Sequence, residues 1–252
     1  MRIKMADTER TELVQNIFTR IVHRYDLLNH LLSLGRDVFW RRAAARRIKS
    51  FRTKRILDLA SGTGDMALTL AEQHHETAVF ALDFNYPMLA RARDKITDSR
   101  YHNRIKVNVG DALHLPFAAQ TFDSLTMAFG IRNIPDRVQA LNEMLRVLVP
   151  GGKAVILELT FPRWSFIRRL YATYLNRLIP WLGGLISGQG QAYQYLADSI
   201  MDFPDPARFC RIMSEAGFCR TGFLKLTFGI AVIHWGEKAD HRPSRQQPLP
   251  KT

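Results

Sequence analysis

Acidic residues are scarce in this chain, and cysteine is scarcer. Against 36 Lys and Arg stand only 23 Asp and Glu, a formal net charge of +13. Such an excess disfavours a cationic partner and points to something anionic, either nucleic acid or a charged membrane surface. The two cysteines, Cys210 and Cys219, are too few for a disulfide framework or a four-ligand zinc site. They read as ordinary buried thiols in a reducing compartment, and no metal is implied. Long apolar runs are missing too. The stretch Leu178 to Gly190 has few charges but is broken by Pro180, Gly183 and Gly184 and is too short to span a bilayer. The N-terminus runs from Met1-Arg2-Ile3-Lys4 into Asp7, Glu9 and Glu12 without an apolar segment, so no secretory signal is expected. A cytoplasmic protein follows, soluble or peripheral at the inner face of the membrane.

What is present is an ordinary globular balance, 46% hydrophobic and 23% charged over 252 residues. Thr8 to Leu34 reads as helix, with Leu13, Ile17, Ile21, Tyr25 and Leu28 at three- and four-residue steps. Arg36 to Arg55 carries nine Lys/Arg against one Asp, +8 of the total. Beyond it, strand-like runs (55–60, 77–83, 105–109, 122–128 and 153–160) alternate with helical ones (88–96 and 138–149), the last of these ending at Pro150-Gly151-Gly152. That alternation predicts a parallel sheet covered on both faces. Phe161 to Gly190 is aromatic and lacks acid, Arg208 to Ala216 is a last helix, and Gly217 to Trp235 holds two strands close enough for a hairpin. The expected division is a helical cap and basic segment over 1–50, an α/β domain over 51–236 with a helical insertion at 161–203, and a disordered tail over 237–252.

The first strand ends in Asp58-Leu59-Ala60-Ser61-Gly62-Thr63-Gly64-Asp65-Met66-Ala67. Its G-x-G-x-x-A core makes a tight turn that brings backbone N–H groups against a ligand. Asp83 ends the second strand nineteen residues beyond Gly64, where a carboxylate can accept ribose hydroxyls. Asp58 sits just ahead of the glycines; a pyrophosphate would be repelled there, whereas an ammonium or sulfonium would be welcomed. Asp111, in Gly110-Asp111-Ala112, follows the third strand, although an Asp also caps turns readily. Three carboxylates after three successive strands suit an adenosine joined to a cationic amino acid, which is S-adenosylmethionine.

Several stretches together carry a resemblance. They are Phe18 to Gly35 with Trp40-Arg41, Asp83-Phe84-Asn85-Tyr86-Pro87-Met88-Leu89, Gly110 to Phe117, Phe129-Gly130-Ile131-Arg132-Asn133, and Tyr193-Gln194-Tyr195-Leu196. From about Val14 to Trp235 the chain resembles the UbiE/MenG quinone C-methyltransferases. The resemblance implies a Rossmann-like class I α/β fold. Its sheet is seven-stranded and mostly parallel, with a C-terminal antiparallel hairpin and an N-terminal helical cap. It also implies S-adenosylmethionine as cofactor and a polyprenylated quinol as acceptor, methylated on a ring carbon.

By that resemblance Thr63, Asp83, Asp111 and Ala112 fall on cofactor positions, and with Asp58, Ser61, Gly62, Gly64 and Phe84 they make up the expected cofactor site. The chemistry of a quinol acceptor makes Arg132, Asn133 and Tyr25 the catalytic candidates. Arg132 would stabilise a phenolate, directly or through water, and its alternative is a surface ion pair with Asp136. Tyr25 and Asp26, at the end of the first helix, would lie over the mouth of the site, or simply pack and cap. His23 is the nearest imidazole. Ala128 stands where relatives often carry Ser, and Ser187-Gly188-Gln189-Gly190 where they commonly carry Asn-Asp.

The insertion, with Trp164, Phe166, Tyr171, Tyr174 and Trp181 among Arg163, Arg168, Arg169 and Arg177, suits an interfacial helix on anionic lipid. Nucleic acid would explain the charge but not the motifs. Self-association stays open. So do a different small aromatic or lipid acceptor and a non-catalytic basic protein with a relic cofactor pocket.

Overall fold

A computed structural model describes residues 7–48, 54–162, 165–174 and 190–240. Among these residues seven strands share one sheet: β1 Arg55–Leu59, β2 Ala78–Asp83, β3 Ile105–Val109, β4 Phe122–Ala128, β5 Leu148–Leu159, β6 Cys219–Leu226 and β7 Ala231–Glu237. Their spatial order is β3-β2-β1-β4-β5-β7-β6. The first five are parallel, and β7 runs antiparallel to both β5 and β6. This is the mostly parallel sheet with a C-terminal hairpin that the sequence predicts.

The helices are α1 Asp7–Ile21, α2 Tyr25–Leu32, α3 Arg36–Ala45, α4 Asp65–Gln73, α5 Tyr86–Thr97, α6 Arg137–Val147, α7 Ser165–Thr173, α8 Gly190–Asp202 and α9 Pro206–Glu215. Side-chain caps set several of their starts. Asn85 accepts from the Met88 N–H, Asp136 from Gln139, and Asp205 from Ala207 and Arg208, with Pro87 and Pro206 in the first turns. Alternation along the central strands feeds both faces of the sheet. Leu57, Leu59, Leu125 and Met127 pack with Leu141 and Met144 of α6. Ile56, Val79 and Val155 pack with Ala67 and Leu70 of α4. Each fully buried leucine of this kind contributes about 1.5–3 kcal/mol.

The opening helix departs from expectation. A 3₁₀ turn at Val22–Arg24 breaks it, so Tyr25 and Asp26 start α2 instead of ending α1. The β-branched pair Ile21-Val22 supports a helix poorly, and Val22 gains burial by turning inward. α6 also stops early, and Leu148 and Val149 begin β5, which runs through Pro150-Gly151-Gly152. At the C-terminal end Glu237 closes β7, and Lys238 exchanges backbone hydrogen bonds with Gly151 and Gly152. Residues 241–252 lie outside the described residues, as do Arg163, Trp164, Arg177, Trp181 and 187–189. Cys210 is buried, but Cys219, on β6, is only half-buried.

Candidate active site

The ends of β1, β2, β3 and β4 converge on a cleft of about 220 Å³. Gly62, Asp83, Phe84, Asp111, Ala112 and Asn133 line it together with Tyr25 and Ala128. The turn after β1 demands its glycines: Gly62 has φ +56° and Gly64 φ +85°. Across the cleft, a Cβ on Gly130 would stand 2.7 Å from the Ala60 Cβ. Ala60 and Phe129 themselves hold φ of +55° and +60° at the ends of β1 and β4, so two strained backbone positions border the cleft.

Asp83 fixes this loop. One of its oxygens accepts the Gly62 N–H at 2.8 Å and the other the Asn85 N–H at 2.9 Å. Burial pushes its carboxyl above the ordinary range, against those backbone donors. Asp58 is fully buried behind the loop and does not line the cleft. Its oxygens accept the Ser61 hydroxyl at 2.7 Å and the Thr126 hydroxyl at 2.9 Å, and burial pushes it up to about 7. Ser61, Thr63 and Gly64 likewise shape the loop from behind. Thr63 donates its hydroxyl to Asp26 of α2. Asp111 does both things expected of it, capping its turn through the Leu113 N–H at 2.9 Å while lining the cleft. A crowded backbone cradle with the buried Asp83 and the exposed Asp111 at its edge fits a ligand bearing ribose and a cation, whereas Asp58, behind the loop, does not meet the ligand as the sequence suggested.

Beside the cleft lies a larger, mostly apolar chamber of about 830 Å³. Leucine, isoleucine and tyrosine side chains of α1, α2, α7 and α8 wall it, Leu28, Leu32, Tyr171 and Ile200 among them. Phe18, Tyr25 and Phe129 border both spaces. Of the three catalytic candidates, Tyr25 lies where the cavities meet, Arg132 lines the chamber and Asn133 lines the cleft.

Arg132 lines the chamber and is buried. It is not paired with Asp136, which caps α6. Its Nη1 donates to Glu158 Oε1 at 2.7 Å and to the Phe129 carbonyl at 2.6 Å, and Glu158 Oε2 accepts its backbone N–H at 3.1 Å. Burial pulls the guanidinium pKa down, but the charge and hydrogen bond of Glu158, together with the neighbouring Tyr25 and Tyr195, offset this and leave it raised. Asn133 is held by Tyr195, whose hydroxyl donates to its side-chain oxygen at 3.1 Å. Burial raises the Tyr25 pKa, opposed by Asn29 and the nearby Arg132 charge. His23 is exposed and lines neither space.

The cap is tied down by charge. Lys95 of α5 bridges Asp26 at 2.8 Å and also pairs with Asp65, while Asp37 pairs with Arg41 and with His30 Nδ1 at 2.7 Å. Sequence reasoning missed Glu158, Phe129, Phe18 and this ion-pair network. Glu158 did leave a signal, as the one carboxylate inside the apolar run 154–159.

Residues 4–238 match the ubiE/COQ5 methyltransferase family. The chain is 47% identical over 232 residues to the ubiquinone/menaquinone biosynthesis C-methyltransferase UbiE of Geobacter sulfurreducens, covering 92% of this chain and 90% of that one. It is 46% identical over 222 residues to the demethylmenaquinone methyltransferase of Thermus thermophilus, covering 88% and 100%. In fold it is similar to a SAM-dependent methyltransferase from Thermotoga maritima, at TM-score 0.63 and 20% identity over 88% of this chain and 99% of that one. With a glycine loop, a carboxylate-edged cleft and an adjoining apolar chamber in place, the chain belongs to the ubiE/COQ5 methyltransferase family of S-adenosylmethionine-dependent enzymes.

Proposed function

We propose that this protein methylates a ring carbon of a polyprenylated quinol in ubiquinone or menaquinone biosynthesis. The observation that carries the proposal is the meeting of the small cleft and the large apolar chamber at Phe18, Tyr25 and Phe129. A polar nucleoside fits the first space, and a prenylated ring fits the second. S-adenosylmethionine, when bound, supplies a methyl group on a positively charged sulfur.

The chain's own residues then have three tasks. Asp83, Asp111 and the glycine loop hold the donor. The wall of the chamber holds the tail, excludes water and presents the ring beside Tyr25. Arg132 stabilises the phenolate that makes a ring carbon nucleophilic. It is no base, because a guanidinium stays protonated, and its lock to Glu158 fixes its direction. Asn133, steadied by Tyr195, orients a ring oxygen. Methyl transfer would release S-adenosylhomocysteine and leave a tetrahedral ring carbon, whose proton would pass out to solvent as the C–H electron pair restores the aromatic ring. Placing both reactants is worth on the order of 7–11 kcal/mol.

The test is methyl transfer from labelled S-adenosylmethionine to short-tailed demethylmenaquinone and to the methoxy-benzoquinone precursor, each with and without reductant. Label on ring carbon only under reducing conditions is expected, and the preferred ring names the pathway. Transfer to neither ring, with cofactor bound, would replace the quinol by another aromatic or lipid acceptor.

A further inference from the structure

The most exposed large apolar side chains gather around the opening of the chamber. Leu34 is 83% exposed, and Phe228 and Phe166 are each 74% exposed. All three line the chamber, as does exposed Leu170 one turn beyond Phe166 on α7. They come from three separate elements, so no single amphipathic segment explains their convergence. Leu34 and Phe228 also hold φ of +52° and +58°. A bulky side chain rarely adopts that conformation, and strain of this kind persists where function requires it. Here strained backbone holds apolar groups out into solvent. Leu27 and Leu31 extend the same exposed side back along α2.

Among the described residues, the exposed charges flanking the opening on α3 and α7 are basic. Arg36, Arg168 and Arg169 are exposed, and Arg36 borders the chamber itself. Over Leu27 to Ile48 the one carboxylate is Asp37, which is buried and paired with Arg41; α7 carries none. Apolar tips with unopposed arginines suit acyl chains and anionic headgroups, respectively. A second copy placed on this face would set arginine against arginine.

We infer that the mouth of the chamber is a docking face for an anionic lipid bilayer. For what passes through it, this rests on the quinol reading; docking itself does not. Once seated, the chamber opens toward the acyl region, and a long-tailed acceptor reaches Tyr25 without crossing water.

Vesicle sedimentation tests this without any quinone. Wild-type protein is expected to pellet with equimolar phosphatidylglycerol and phosphatidylethanolamine vesicles and to stay in solution with phosphatidylcholine. Two variants avoid the chamber lining. R168E/R169E is expected to weaken anionic-vesicle binding by at least about tenfold. L27S/L31S is expected to weaken it through the apolar arm. Both keep wild-type turnover on a short-tailed, water-soluble acceptor and lose it on a long-tailed acceptor held in vesicles.

Wild-type protein that ignores anionic vesicles at low salt would overturn the inference. So would binding that survives both substitutions, or a dimer that L27S/L31S dissociates with no vesicle binding in either form. Vesicle binding without methyl transfer to any quinol would instead leave the docking face standing and remove the acceptor assignment.

Discussion

The small cleft and the apolar chamber share three side chains but are built by opposite rules. The cleft is made of loops at the ends of strands. Buried carboxylates and glycines fix its backbone, and nearly every polar atom behind it is paired within the chain. The chamber is made of helices that contribute apolar side chains, and its opening exposes what a core would hide. On the proposed function, a cleft whose backbone is fixed in this way serves one constant donor, and the apolar wall is where the acceptor is chosen. Asp37, paired with Arg41, is one exception; Arg132 is the other, a buried ion on the chamber side that Glu158 of the central sheet makes tolerable.

The largest effect comes from breaking the second exception. Glu158→Ala leaves a buried guanidinium without its carboxylate and is expected to cost about 3–5 kcal/mol in denaturant unfolding. Next, Arg132→Lys keeps the charge but loses the planar fork. Turnover is expected to fall about 10²–10³-fold, while calorimetry finds cofactor affinity unchanged. Asp83→Ala gives the reverse split. Loss of a charged acceptor for the Gly62 and Asn85 N–H groups weakens cofactor binding by about 1.5–3 kcal/mol and leaves the acceptor KM in place. Tyr195→Phe frees Asn133 and costs about 0.5–1.5 kcal/mol, read as a drop in kcat.

The smallest net effect is on pH, because buried groups oppose each other: Asp58 and Asp83 are raised and His234 is lowered. Asp58 titrates near 7 in the folded chain and near 3.8 unfolded. The folded state therefore holds the extra proton, and this contribution to stability falls as pH rises from about 4 to 7. His234, fully buried against Phe209, is pushed down by desolvation from 6.5 to about 4. There the unfolded chain holds the extra proton, so stability falls as pH drops through the same window. Thermal melts of Asp58→Asn are expected to lose the Asp58 part of the first slope, so that Tm falls less, or rises more, with pH between about 4 and 6.5 than in wild type. His234→Phe should do the opposite.

Much of the cleft was legible in the sequence because its logic is local. Strand, glycine turn and helix follow one another, and Asp83 and Asp111 sit where each strand ends. The roles of Asp58, Ser61 and Thr63 were less legible, since spacing places a residue beside a loop without saying which side of it faces the ligand. The chamber was hardly legible. Thr63 meets Asp26 across 37 residues, and Tyr195 meets Asn133 across 62. No periodicity encodes such pairings. The break at Val22–Arg24, which turns Tyr25 toward the cleft, was masked by apolar spacing that runs on through it. The chemistry of a quinol acceptor named Tyr25, Arg132 and Asn133, but the reason they act together is the fold.

The most direct measurement is the response of donor and acceptor to a block placed on one side only. Leu32→Trp pushes an indole into the chamber without touching the cleft. Calorimetric affinity for S-adenosylmethionine should match wild type, while the KM for a prenylated quinol rises severalfold or more. Equal loss of both, in a variant that melts like wild type, would contradict two separate compartments meeting at Tyr25.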